Sequence, residues 1–120
     1  MRRIALVEDN PDNRLLVTAI LEDSYEIDEY ENGRYALDGI RSNPPDLILL
    51  DISLPEMDGT EVLERIREDD DLKSIPTIAL TAHAMTGDRE KYLSMGFDEY
   101  LTKPIVDETV LFNTIHHFLD

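Results

Sequence analysis

The chain has 120 residues, 27 Asp and Glu against 11 Lys and Arg, a formal charge of -16 and no cysteine. This length suits one domain, residues 1–120, with a layered core and one functional face, and the charge disfavours direct binding to nucleic acid or anionic membrane. Without cysteine there are no disulfides or thiolate metal sites, and with no apolar run of membrane-spanning length the expectation is a cytoplasmic protein whose partners are basic or amphipathic proteins.

Arg3 to Val7 is a continuous run of strand formers, too short for the core of a signal peptide, and it stops at the acidic Glu8-Asp9 before Asn10-Pro11. Asn10 suits a helix cap and Pro11 the first helical position; Leu15, Leu16, Ala19 and Ile20 then recur at helical spacing to about Glu22 or Asp23. Tyr25 to Glu31 is polar for a strand, which places it at a sheet edge before the Asn32-Gly33 break. A second helix, from Gly33 to about Ser42, carries Ala36, Leu37 and Ile40 on one stripe and is closed by Pro44-Pro45. Leu47 to Leu50 form an apolar run that ends on Asp51 and breaks into the turn from Pro55 to Gly59. Val62, Leu63 and Ile66 mark a third helix ending in the solvated run Glu68 to Asp71, and Ile75 to Thr81 reads as a fourth strand. Ala82 to Gly87 is a loop, Asp88 to Met95 a short helix stopped by Gly96, Phe97 to Thr102 a fifth strand, and Asp107 to Leu119 the last helix. Strict alternation of strand and helix predicts an α/β fold, a parallel sheet with helices on both faces.

In open parallel sheets, ligands bind beyond the carboxyl ends of the strands. Those ends carry Glu8 and Asp9, then Asp51, then Thr81, and then Lys103. Three converging carboxylates repel unless protons or a cation relieve them, and an all-oxygen, partly hydrated donor set favours Mg²⁺. A carboxylate, a cation, a hydroxyl and an ammonium are the parts phosphoryl transfer requires, with Asp51 as the natural acceptor.

Four short pieces, Val7 to Asn10, Leu50 to Gly59, Leu80 to Ala82 and Leu101 to Pro104, together resemble the receiver domain of two-component response regulators, of the single-domain, chemotaxis-regulator-like kind. The resemblance spans the whole chain and implies a doubly wound, flavodoxin-like, five-stranded sheet of order 2-1-3-4-5. It implies a signalling switch in a two-component system or phosphorelay, phosphorylated on Asp51 by a histidine kinase or histidine phosphotransfer protein. The switch assists only its own Mg²⁺-dependent phosphorylation and dephosphorylation, and is no enzyme toward other substrates. Carried over by position, Glu8, Asp9, Asp51 and the Ser53 backbone carbonyl would hold Mg²⁺, Thr81 and Lys103 would grip the phosphoryl group, and a cis Lys103-Pro104 bond would aim the lysine. Tyr100 matches the aromatic switch residue, through which the surface of the fourth helix, fifth strand and fifth helix would control a downstream protein. The phrase from Leu80 to Met85, with Gly87-Asp88, is similar to receivers of hybrid kinases and stand-alone phosphorelay regulators.

Each assignment has a structural rival. Glu8-Asp9 alone could be an acidic helix start, Asp51 a turn residue, Thr81 an ordinary strand residue, and Tyr100 an amphipathic surface ring. His116 and His117 point about 100° apart on a helix and suit surface packing better than metal binding. His83 could tune the phosphoryl lifetime or be only a loop histidine. A haloacid-dehalogenase-like phosphatase would need a second acid where Ser53 stands, and a nucleotide or flavin module would need a glycine-rich loop after the first strand.

Overall fold

The structure, a computed structural model, describes residues 1–82, 85–103, 105 and 107–119. Its elements run β1 (Arg3–Val7), α1 (Pro11–Leu21), β2 (Glu26–Tyr30), α2 (Gly33–Ser42), β3 (Leu47–Asp51), α3 (Gly59–Glu68), β4 (Thr77–Thr81), α4 (Asp88–Met95), β5 (Glu99–Thr102) and α5 (Glu108–Leu119). All four strand pairings are parallel and the order is β2-β1-β3-β4-β5, as the family resemblance implies.

The alternation of side chains along each strand divides the core into two layers. Ala5, Val7, Ile48, Leu50 and Ala79 pack with Ala36, Ile40, Val62, Leu63, Ile66 and Tyr92 from α2, α3 and α4. Ile4, Leu6, Leu47, Leu49, Ile78 and Leu80 pack with Val17 and Leu21 of α1 and with Leu111, Ile115 and Leu119 of α5. Strands β3 and β4 are buried along their whole length, which is why Leu47 to Leu50 and Ile78 to Leu80 read as unbroken apolar runs. At the edge, β2 shows a mixed pattern, and Arg3 of β1 grips Asp28 and Glu26 there at 2.9 Å each.

Helix α1 departs from expectation in its orientation. The buried residues are Val17 and Leu21, while Leu15 is 71% exposed, Leu16 39% exposed and Ala19 also faces solvent. The spacing of Leu15, Leu16, Ala19 and Ile20 is helical, but most of that stripe lies outside the core. Strands β4 and β5 each begin two residues later than their apolar runs. Pro76 has no N–H for a ladder, and the Phe97 N–H is taken by the Tyr92 carbonyl in the turn out of α4.

Side-chain oxygens hold the starts of four helices: Asn10 for α1, Asn32 for α2, Asp58 for α3 and Asp107, which accepts the Thr109 N–H, for α5. In contrast, α4 starts on Gly87 without a side-chain cap, and its own Asp88 reaches back to the Met85 N–H at 2.9 Å. Gly96 ends α4 at φ +117, in the left-handed region where glycine is favoured. Below it, the Arg67 guanidinium of α3 donates to the carbonyls of Gly96, Lys73 and Ile75 and to Asp98, tying α3 to the starts of β4 and β5.

The junction that matters most for the strand ends is at Gly59. Its N–H donates to the Ile52 carbonyl at 2.8 Å, and a Cβ built there would collide with the backbone carbonyl of Asp51. Helix α3 therefore abuts the end of β3 with no room for a side chain. Gly59→Ala is expected to reduce stability by about 2 kcal/mol, in the range for overpacking, and to shift the Asp51 amide resonance. Urea unfolding with an amide correlation spectrum checks both, and a neutral substitution would contradict this account.

Candidate functional site

The carboxyl ends of β1, β3 and β4 bring the expected groups to one edge. Glu8 follows β1, and its N–H donates to the Tyr30 carbonyl at 3.0 Å, extending the β1–β2 ladder by one residue. Asp51 is the last residue of β3 and Thr81 the last of β4. Lys103 follows β5, its N–H fixed on the Thr81 carbonyl at 2.7 Å, and its side chain turns back across the sheet.

The Lys103 ammonium contacts Glu8 Oε1 at 2.8 Å and Asp51 Oδ2 at 2.9 Å. Asp51 Oδ1 accepts the Ser53 N–H at 3.0 Å, and Glu8 Oε2 accepts the Asn10 N–H at 3.2 Å. Both carboxylates are 1% exposed, whereas Asp9 faces solvent. One oxygen from each of Glu8, Asp9 and Asp51 can be chosen so that all lie within 4.8 Å of one another. Over this group opens a cleft lined by Asp9, Asn10, Asn13, Asp51, Ser53, Ala82 and Lys103. Among the described residues that line it, Asp51 is the carboxylate that also touches the lysine.

Burial pushes the Asp51 carboxyl up to about 7, helped by the adjacent Glu8 and opposed by Lys103. Burial acts on Glu8 in the same sense, but its hydrogen bonds with Asp51, Lys103 and the Asn10 N–H prevail and hold it below the ordinary carboxylate range. Lys103 loses some basicity to burial and regains more from Glu8 and Asp51, so it stays charged. The result is an ionised Glu8–Lys103 pair beside an aspartate that titrates near neutrality.

The donor set fits a hard divalent cation: oxygen ligands alone, two of them buried and one exposed at an open mouth that would admit water ligands. Ser53 lines the cleft with its N–H committed to Asp51, and Thr81 is buried at 5% exposure beside the site. Tyr100 lies further along β5, half-buried, its ring 6.0 Å from that of Tyr92 on α4. His83 and the Lys103-Pro104 bond lie outside the described residues. His116 and His117 are exposed on α5, with rings against Tyr25 and Phe118.

Sequence reasoning missed two residues. Asn13 lines the cleft one turn into α1, where its spacing of three from Asn10 was the available signal. Arg14 extends its Nη1 to the carbonyls of Glu8 and Asp9, at 2.7 and 3.1 Å, a contact that no residue pattern announces.

A family model described as the response regulator receiver domain matches residues 4–116. The chain is 46% identical over 105 residues to the polar-differentiation response regulator DivK of Brucella anthropi, covering 87% of this chain and 85% of that protein. It is 42% identical over 106 residues to the signal transduction histidine-protein kinase BarA of Escherichia coli, covering 88% of this chain and 12% of the kinase. Among solved structures, it is similar to the receiver domain of a sensor histidine kinase from Pseudomonas aeruginosa, with a magnesium ion coordinated in that protein's active site cleft. The TM-score is 0.89 at 34% identity, over 98% of this chain and 97% of that one.

The proton on Asp51 sets a pH dependence. With its native value raised to about 7, the folded protein retains a proton that the unfolded chain gives up near the ordinary aspartate value, about 4. The contribution of Asp51 to stability therefore falls as pH rises from about 4 to about 7. In metal-free buffer, wild type is expected to lose up to about 4 kcal/mol relative to Asp51→Asn across that window, at about 1.4 kcal/mol per pH unit. Denaturant unfolding at a series of pH values measures it, and parallel stability curves would refute the linkage.

Proposed function

This chain belongs to the response regulator receiver domain family, and we propose that Asp51 is the aspartate on which it is phosphorylated in two-component signalling. One observation carries the assignment: of the three clustered carboxylates, Asp51 both faces the open cleft and touches the lysine. Glu8 is buried behind it with both oxygens engaged, and Asp9 sits at the rim.

An Asp51 oxygen attacks the phosphorus of a phosphohistidine on the donor protein. The new P–O bond forms as the P–N bond breaks, and the imidazole leaves with its electron pair. Lys103, already 2.9 Å from Asp51, neutralises charge gathering on the phosphoryl oxygens, and the Ser53 N–H holds the other Asp51 oxygen in place. Glu8, Asp9, Asp51 and the Ser53 carbonyl would hold Mg²⁺, which when bound neutralises phosphoryl charge and returns Asp51 to the ionised form of a nucleophile. The phosphoryl donor is a histidine kinase or histidine phosphotransfer protein. It docks over the cleft mouth beside α1, where exposed Leu15 and Leu16 supply apolar contact.

The phosphoryl group adds charge and acceptor oxygens near the end of β4, to which the Thr81 hydroxyl would donate. Movement of Thr81 changes the space around Tyr100, whose ring packs with Tyr92 of α4. The surface of α4, β5 and α5 then presents a different shape to a downstream protein target. Residues 1–120 act as a single receiver unit in the cytoplasm, and no helix among the described residues is long and apolar enough to cross a membrane.

Incubation with phosphoramidate and MgCl₂ is expected to add the mass of one phosphoryl group, read by intact mass spectrometry. EDTA or Asp51→Asn abolishes the gain, and Lys103→Ala slows it by about a hundredfold, the usual effect of one transition-state contact. Unchanged labelling of Asp51→Asn would overturn the assignment.

A further inference from the structure

We propose that Arg14 is a positioning residue for the metal-binding pair: its guanidinium fastens the peptide groups of Glu8 and Asp9 so that their carboxylates meet at the cleft. This inference rests on the reading of Glu8, Asp9 and Asp51 as a cation site. The loop after β1 faces a difficulty, since two consecutive acidic residues must present both side chains to a third carboxylate, and repulsion favours turning one away. Besides the Asn10 N–H on Glu8 Oε2, the hydrogen bonds already described hold the loop at its two ends. Glu8 N–H is on the Tyr30 carbonyl, and Asn10 caps α1 by accepting the N–H groups of Asp12 and Asn13 at 2.8 and 3.2 Å. Between those ends lie the carbonyls of Glu8 and Asp9, and both accept from Arg14 Nη1, at 2.7 and 3.1 Å.

Arg14 is itself held. Its side chain is 19% exposed, and Nε lies 3.6 Å from Glu29 Oε1 on β2. Glu29 is fixed in turn by the Thr18 hydroxyl of α1, which donates to Oε2 at 2.7 Å. The guanidinium is thus a spacer between the sheet edge and the loop. With both carbonyls drawn to it, neither peptide can rotate without losing a charge-assisted hydrogen bond. The fork suits this task because one terminal nitrogen carries two N–H groups for the two carbonyls while Nε remains for Glu29. A lysine would return the charge but not the planar geometry.

The alternative is an ordinary α1–β2 ion pair that contributes only to stability. The two readings separate in a Mg²⁺ titration, followed by the amide resonances of Asp9 and Asn10, with thermal unfolding measured in parallel. Removing groups that orient metal ligands lowers affinity by about 10–100-fold, so Arg14→Ala is expected to weaken Mg²⁺ binding about tenfold or more. In metal-free protein the same variant is expected to speed hydrogen exchange at the Asn10 amide. Arg14→Lys is expected to recover less than half of the lost affinity on a logarithmic scale. Glu29→Gln, which keeps the loop contacts and loses the charged anchor, serves as the control and shifts affinity by no more than about threefold. If wild type binds Mg²⁺ and Arg14→Ala binds equally well, or Arg14→Lys binds like wild type, the positioning role is wrong. If wild type and Asp9→Asn respond identically to Mg²⁺, the cation site itself is wrong, and this inference falls with it.

Discussion

The Lys103 ammonium lies between two buried carboxylates that come from 95 and 52 residues earlier in the chain, and the strand ends depend on that contact. Neighbouring strands lie about 4.8 Å apart, so a residue leaving β5 is two strand widths from β3. The lysine stem spans that gap over the end of β4, where the Lys103 N–H is anchored. Without the ammonium, Glu8 would be a buried carboxylate that has lost its cation and Asp51 would hold its proton still more firmly; removing one partner of a buried ion pair destabilises by several kcal/mol. With it, one carboxylate is neutralised and the other is left near its titration point. The site is therefore a set of charges close to balance, and addition of a cation or an anion redistributes hydrogen bonds that already exist.

Legibility followed burial. Strands β1, β3 and β4 were evident because both faces are covered and their apolar runs are unbroken; β2 was recognisable as an edge because acidic residues interrupt it. The strand ends were therefore correctly aligned, and Glu8, Asp9, Asp51, Thr81 and Lys103 followed from that alignment. Where prediction and structure part, the cause is local. Ile75 and Phe97 extend apolar runs into segments whose N–H groups serve turns, and Leu15 and Leu16 keep helical spacing on a face left 71% and 39% exposed. Sequence spacing fixes periodicity, whereas phase depends on which side the sheet approaches.

Arg14 and Asn13 illustrate a different limit. Long polar side chains near a helix start look alike in sequence whether they are solvated or bonded to backbone carbonyls, because their partners carry no residue identity. A carbonyl that accepts from Arg14 would be the same carbonyl under any side chain. Asn13 could have been found through its spacing from Asn10, since residues three apart share a helix face. The Arg14 contacts needed the peptide orientations of the loop.

Two neighbours of the site differ in stiffness. Helix α3 is seated without clearance against the Asp51 carbonyl, capped by Asp58 and anchored at its far end through Arg67. Helix α4 begins on a glycine and lacks the side-chain cap that contributes about 1 kcal/mol at such positions. A displacement at the end of β3 would find no clearance at α3, whereas the start of α4 has no side-chain cap bond to break. The surface proposed to change on phosphorylation, α4 and β5, therefore adjoins the helix start that lacks a side-chain cap, and not the one seated against Asp51.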